Sequence, residues 1–270
     1  MHSRTRPASV DFATVVDAGD RPRTDVAPLQ TLCMACGASG WCAPCKRVPP
    51  VRSANPGETF NRHRLAKNHV LYAQGDSFQN VYAVRNGTFK STVVPANGRE
   101  KICAFHTAGE IVGLDGMSTG AHTTTVTALE DAQVCVIAYA DLYAVSGGDR
   151  DFQRRLSRLM SLEIVRGQRM LMQLGACSAR QRLAAFVIDM SCRFHSQGYS
   201  ARDFNLRMTR NEIASYLGLT SETVSRMFAQ FQRDGLLRVD NRRVRIQDPE
   251  RFLREPQRQD EARGVGCSRQ

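Results

Sequence analysis

The chain has 270 residues, 42% of them hydrophobic, which is enough for two folded units with polar tails, and no uncharged apolar run approaches the ~20 residues of a spanning helix. Its formal net charge is +11, carried by 33 Arg and only four Lys, which points to polyanions as partners and says nothing about fold. Met1 to Arg23 mixes Arg with Asp and lacks an apolar stretch, so the expectation is a cytoplasmic chain, neither exported nor membrane-bound, whose nine cysteines are thiols or metal ligands.

Residues 1–32 are polar and without sustained periodicity and read as a disordered arm. Residues 33–55 form a cysteine-rich segment, with Cys33, Cys36, Cys42 and Cys45 inside thirteen residues of small and turn-forming types. Over 56–147, short β runs broken at Gly75-Asp76, Asn86-Gly87, Asn97-Gly98 and Gly109 predict a small antiparallel barrel or sandwich. Expected strands are Val70–Tyr72, Val81–Val84, Thr88–Val94, Lys101–Phe105 and Gln133–Ile137. Cys103 and Cys135 fall in these runs, where cysteine is by default a small buried hydrophobe, as is expected of Cys177 and Cys192 on helices.

A long helix is predicted over 148–177, where Met160, Ile164, Gly167, Leu171 and Leu174 step by 4, 3, 4 and 3. That stripe suits either a partner helix or the chain's own barrel, and the flanking Arg154, Arg155, Arg158, Arg166 and Arg169 read as its solvated face. Residues 178–254 form a further module, with 255–270 a flexible tail. Thr209-Arg-Asn-Glu212 has the capping-box form, Gly218 closes that helix, and Thr220 or Ser221 caps the next. The second helix buries Val224, Met227, Phe228 and Phe231 and presents Ser221, Glu222, Ser225 and Arg226. Strands Gly235–Val239 and Arg243–Ile246 around Asp240-Asn241 complete a winged helix-turn-helix, so the fold class is α+β.

Such a helix fits the major groove of double-stranded DNA: Arg forks onto guanine, a carboxylate accepts from cytosine, and Ser serves bases or phosphate. Arg210, Arg242 and Arg243 are candidate phosphate contacts. Basic charge is placed to match, with eleven Arg against seven acids from Arg202 to Arg254 and no Lys or Arg from Ile102 to Asp149. The spacing Cys-x2-Cys-x5-Cys-x2-Cys indicates a soft metal centre, zinc or iron–sulfur, without deciding between them. No catalytic triad, paired carboxylates or glycine-rich phosphate loop with useful context is present, so an enzyme is not expected.

Together these features resemble the CRP/FNR family of transcription regulators, in particular its oxygen-sensing FNR branch, from about Cys33 to Ile246. The segment Thr209 to Arg226 matches the branch's signature almost residue for residue, which implies reading of TTGAT-type half-sites through Glu222, Ser225 and Arg226, with Ser221 replacing a frequent aliphatic residue. The resemblance implies an antiparallel β-roll sensor domain, a long dimerisation helix and an oxygen-labile [4Fe-4S] cluster on Cys33, Cys36, Cys42 and Cys135, with Cys45 as a substitute ligand. It also implies a homodimer that contacts RNA polymerase through Asn97, Gly98, Arg99 and Glu100, with a second activating patch near Ser118 to His122. Gly167 stands where the branch commonly has an acidic residue that keeps the apo form monomeric, so that penalty would be reduced or supplied by Arg166 and Arg169. Cyclic AMP is not expected as effector, because the Arg that grips its phosphate after Gly109-Glu110 is replaced by Ala121-His-Thr-Thr-Thr; haem is a weaker rival, with His106 and His122 lacking context.

Overall fold

The computed structural model describes residues 62–95, 98–140 and 150–257. Cys33, Cys36, Cys42, Cys45 and Asn97 lie outside the described residues, as do the expected arm and most of the expected tail.

The N-terminal half is an antiparallel β-roll of two four-stranded sheets. One runs β1 (Arg62–Leu65), β8 (Ala132–Ala138), β3 (Asn80–Asn86), β6 (Ile111–Val112). The other runs β2 (Val70–Tyr72), β7 (Thr125–Ala128), β4 (Phe89–Val93), β5 (Lys101–His106). Leu65, Val84, Phe89, Val126 and Val134 fill its core. Gly87 at φ +93° makes the β3–β4 turn, and a Cβ there would lie 2.6 Å from that of Ala132, so only glycine lets this turn pack against the start of β8. The five expected strands are present, whereas β1, β6 and β7 were not expected; β6 has two residues, too short for any alternation to show.

Helix α1 (Arg150–Ala176) packs Leu156 and Leu159 on a second apolar cluster of Val81, Ala83, Ile111 and Cys135. A two-residue link leads to α2 (Ala179–Ser196), capped by Ser178 in a reciprocal box with Gln181. Then follow β9 (Asp203–Asn205), α3 (Arg210–Leu217), α4 (Ser221–Arg233), β10 (Leu237–Asp240), β11 (Arg243–Ile246) and α5 (Pro249–Arg254). The capping box of Thr209 and Glu212 is formed, Gly218 closes α3 at φ +64°, and Thr220, not Ser221, caps α4. β9 joins the predicted hairpin as a third strand, in the order β10-β11-β9. Glu255–Gln257, placed in the tail by sequence, form a turn in which Glu255 is buried and paired with Arg180.

Three cysteine expectations fail. Cys103 is exposed because its neighbours Ile102 and Phe105 take the inward positions of β5, Cys177 is half-buried in the link between helices, and Cys192 of α2 is half-buried.

The two halves share one core: Ile102, Phe105 and Leu129 of the β-roll belong to the cluster built on Leu183, Phe186, Leu217 and Phe228. Near this junction His106 is buried; Ser91 Oγ lies 2.7 Å from its Nε2, while Nδ1 has no hydrogen-bond partner and lies 3.9 Å from Glu110. Burial, reinforced by Arg193 and Arg166, pushes its pKa down to about 4 against the pull of Glu110. The unfolded chain binds this proton below about pH 6.5 and the folded chain only near 4, so stability falls as pH drops through that window, by on the order of 3 kcal/mol. Urea unfolding at pH 7.5 and pH 5 is expected to show a smaller acid loss in His106→Gln than in the native protein.

Candidate nucleic-acid interface and sensor face

The DNA-facing candidate begins with the amphipathic pattern of α4. Val224, Phe228 and Phe231 are buried, with Met227 half-buried beside them, so the helix can rest on its core only by turning Glu222, Ser225 and Arg226 outward. All three are exposed, and among the described residues no salt bridge or side-chain hydrogen bond engages them. Thr220 and Ser221 complete the N-terminal turn, where the Thr220 hydroxyl accepts from the Thr223 amide. The end of a helix that enters a groove therefore presents a carboxylate, hydroxyls and a guanidinium with unspent hydrogen-bonding capacity.

The surrounding arginines differ in availability. Arg210 is the first residue of α3; its guanidinium lies 3.8 Å over the Phe228 ring and donates to the Asn241 carbonyl, tying α3, α4 and the wing tip. Burial lowers its pKa below the usual guanidinium value. Arg242 donates to the Arg207 carbonyl. Arg243 and Arg245 fork onto Asp203 from the outer face of the three-stranded sheet, with contacts of 2.6 to 3.0 Å. Hydrogen bonds from Arg243, then Arg245, hold the Asp203 carboxyl down at about 2.

In the β-roll, Cys135 is buried, 5% exposed, and stands directly across from Arg62 in the β8–β1 ladder. The described chain thus starts beside the Cys135 backbone, and the 19 residues between Cys42 and Arg62 can reach across on the order of 60 Å at most, ample to return to it. Among the described residues no three His, Cys, Asp or Glu side chains converge as a metal site. Cys135 is a thiol of β8 of the type that can serve as one thiolate ligand of an iron–sulfur cluster.

The β-roll segment after Gly109-Glu110 is organised around a carboxylate. Asp115 accepts from the amides and hydroxyls of Thr123 and Thr124 at 2.8 to 3.1 Å and from the Tyr72 hydroxyl at 3.2 Å, with His122 Nδ1 also at 3.2 Å. Burial pushes its carboxyl up, but these hydrogen bonds outweigh it and leave Asp115 below the usual range. His122, stacked 3.7 Å from Tyr72, is a member of this knot.

Along α1 the predicted seam splits. Ile164 and Leu171 are 61% and 72% exposed, Met160 and Leu174 are half-buried, and Gly167 is open, with nothing within 4 Å of an added Cβ. Arg166, expected on the solvated face, is instead half-buried and paired with Glu110 and Glu163. Of the loop expected to meet polymerase, Gly98, Arg99 and Glu100 are exposed, and Glu100 lies 4.0 Å from Lys90.

Residues 181–255 match the Crp-like helix-turn-helix domain and residues 62–147 the cyclic nucleotide-binding domain. The chain belongs to the CRP/FNR family of DNA-binding transcription regulators. It is 41% identical to the transcriptional regulatory protein btr of Bordetella pertussis over 84% of this chain and 93% of that one. It is 41% identical to the fumarate and nitrate reduction regulatory protein of Shigella dysenteriae (68% and 74%), and 40% to the transcriptional activator anr of Pseudomonas aeruginosa (81% and 90%). Among solved structures it is similar to FixK2 of Bradyrhizobium japonicum, with TM-score 0.67 and 28% identity over 73% of this chain and 96% of that one. Among the described residues no helix is long and apolar enough to cross a membrane.

Sequence reasoning missed the Glu110–Arg166 and Asp203–Arg243 pairs, whose members lie 40 or more residues apart and leave no local signal. Replacing Arg226 with Ala is expected to lower affinity for a specific duplex about 10- to 100-fold and to relax discrimination at one base pair per half-site. Fluorescence anisotropy against single-base variants of the duplex checks this.

Proposed function

We propose that this protein is a homodimeric, oxygen-responsive transcription regulator that reads TTGAT-type half-sites and whose dimerisation is controlled by a [4Fe-4S] cluster. The observation that carries the reading is the trio Glu222, Ser225 and Arg226, exposed and unengaged on α4 in a chain about 40% identical to FNR and Anr regulators. The cysteine-rich segment is the support for the sensor half.

Cys33, Cys36, Cys42 and Cys135 would hold the cluster, with Cys45 as an alternative thiolate. When bound, such a cluster supplies an oxygen-labile group that ties its thiolates together. The rest falls to the chain. Cys135 lies in the cluster that receives Leu156 and Leu159, so ligation there bears on the seating of α1. Ile164 and Leu171, left in water by the lone protomer, are the apolar surface that a second α1 buries across a two-fold axis. That pairing sets the two α4 helices about one turn of DNA apart. Arg166 is neutralised by Glu110 and Glu163 and so is a poor source of repulsion across the seam, which leaves Gly167 as the neutral position there. A cyclic nucleotide is not part of the reading, since Ala121-His-Thr-Thr-Thr offers no Arg to grip its phosphate. Polymerase contact through Asn97, Gly98, Arg99 and Glu100, and a cytoplasmic location, belong to the same proposal.

Anaerobic purification is expected to yield about four iron and four sulfide per chain with a brown absorbance that bleaches in air. One zinc in a colourless, air-indifferent protein would overturn the sensor half. Cys135→Ser is expected to lose that absorbance while unfolding like the cluster-free native protein. Gly167→Asp, which meets no steric obstacle within the protomer, is expected to weaken dimerisation of the cluster-free protein about tenfold by sedimentation.

A further inference from the structure

Glu110 follows the turn after β5 and its side chain is 12% exposed. Its carboxylate is gripped from two helices: Arg166 Nη2 of α1 donates at 2.9 Å and Arg193 Nη1 of α2 at 3.3 Å. Arg193 also donates to the Phe105 carbonyl at 2.7 Å and pairs with Asp189, while Gln197 Nε2 of the next turn donates to Thr107 Oγ1 at 2.8 Å. One carboxylate thus joins β-roll, dimerisation helix and the first helix of the DNA-binding domain.

The geometry is that of a brace. α1 and α2 diverge from an elbow at Cys177-Ser178, which Arg182 fixes by donating to the carbonyls of Leu174, Cys177 and Leu217. Arg166 lies eleven residues before the elbow and Arg193 fifteen after it, so the helices are tied about 16 Å and 22 Å from their pivot. The shared apolar core resists separation of the halves but is not directional, whereas charge-assisted bonds at the far end of two arms fix an angle. Beside the brace a cleft of about 130 Å³, lined by Phe105, Met170 and Tyr216, leaves room for the arms to shift.

We propose that Glu110 is a positioning residue for DNA recognition: by fixing the angle between α1 and α2 it sets the distance between the two recognition helices of the dimer, and hence the half-site spacing the protein accepts. This rests on the dimeric, DNA-reading function proposed above. α1 carries the two-fold seam and α2 carries the domain that holds α4, so each degree of opening at the elbow is transmitted to both half-sites.

The test uses the full chain, prepared anaerobically, and duplexes bearing two TTGAT half-sites whose separation is stepped by single base pairs around ~10 base pairs. At protein concentrations where sedimentation shows both proteins dimeric, the native protein is expected to lose about tenfold in affinity per step away from its optimum, and Glu110→Gln only about twofold. Arg166→Gln, which removes one arm at a half-exposed position and serves if Glu110→Gln fails to fold, is expected to flatten the profile likewise. A folded variant that keeps the native spacing profile overturns the proposal. Native protein that binds none of these duplexes overturns instead the DNA-reading function beneath it.

Discussion

Burial of the β5 edge under the DNA-binding domain is the constraint on which the rest of the structure depends. β5 ends its sheet, and an open edge must hide its unpaired donors or invite aggregation. Here the Ile102 amide donates to Ser215 Oγ of α3, Ile102 and Phe105 enter the C-terminal core, and the Phe105 ring lies 5.1 Å from that of Tyr216. Lys90 on the neighbouring strand reaches Glu212, the capping-box partner of Thr209 in α3, at 3.1 Å. The helix-turn-helix is therefore seated on the β-roll, not tethered to it, and a shift of one is felt by the other.

That seating also explains how a buried acid is tolerated. Glu110 would be costly in an apolar junction were it alone, and its two arginines and the Thr107 amide satisfy it. Burial works against the Arg193 charge, but Glu110 and Asp189 outweigh it and raise its pKa above the usual guanidinium value. The Glu110 carboxylate and the Arg193 guanidinium are thus partnered by residues of three different segments, and their loss would first cost orientation.

The legibility of the sequence followed the range of the interactions. Thr209-x-x-Glu212, Gly218 and the spacing of Val224, Phe228 and Phe231 are local signals, and the helices they predict are present. β9 was invisible because Asp203-Phe-Asn becomes a strand only by pairing with β11, about 40 residues on. Periodicity along α1 showed a stripe but not its division, since the burial of Leu156 and Leu159 against the exposure of Ile164 and Leu171 depends on where the β-roll sits. Arg166 reads as a surface charge until Glu110, 56 residues earlier, is brought beneath it.

The most direct test of the central claim is the affinity of one anaerobic sample for a duplex with two TTGAT half-sites, measured before and after admitting air. The account predicts tight, sequence-specific binding that weakens at least tenfold as the brown absorbance bleaches and the dimer dissociates. Equal affinity in both states, with the absorbance gone, would contradict it.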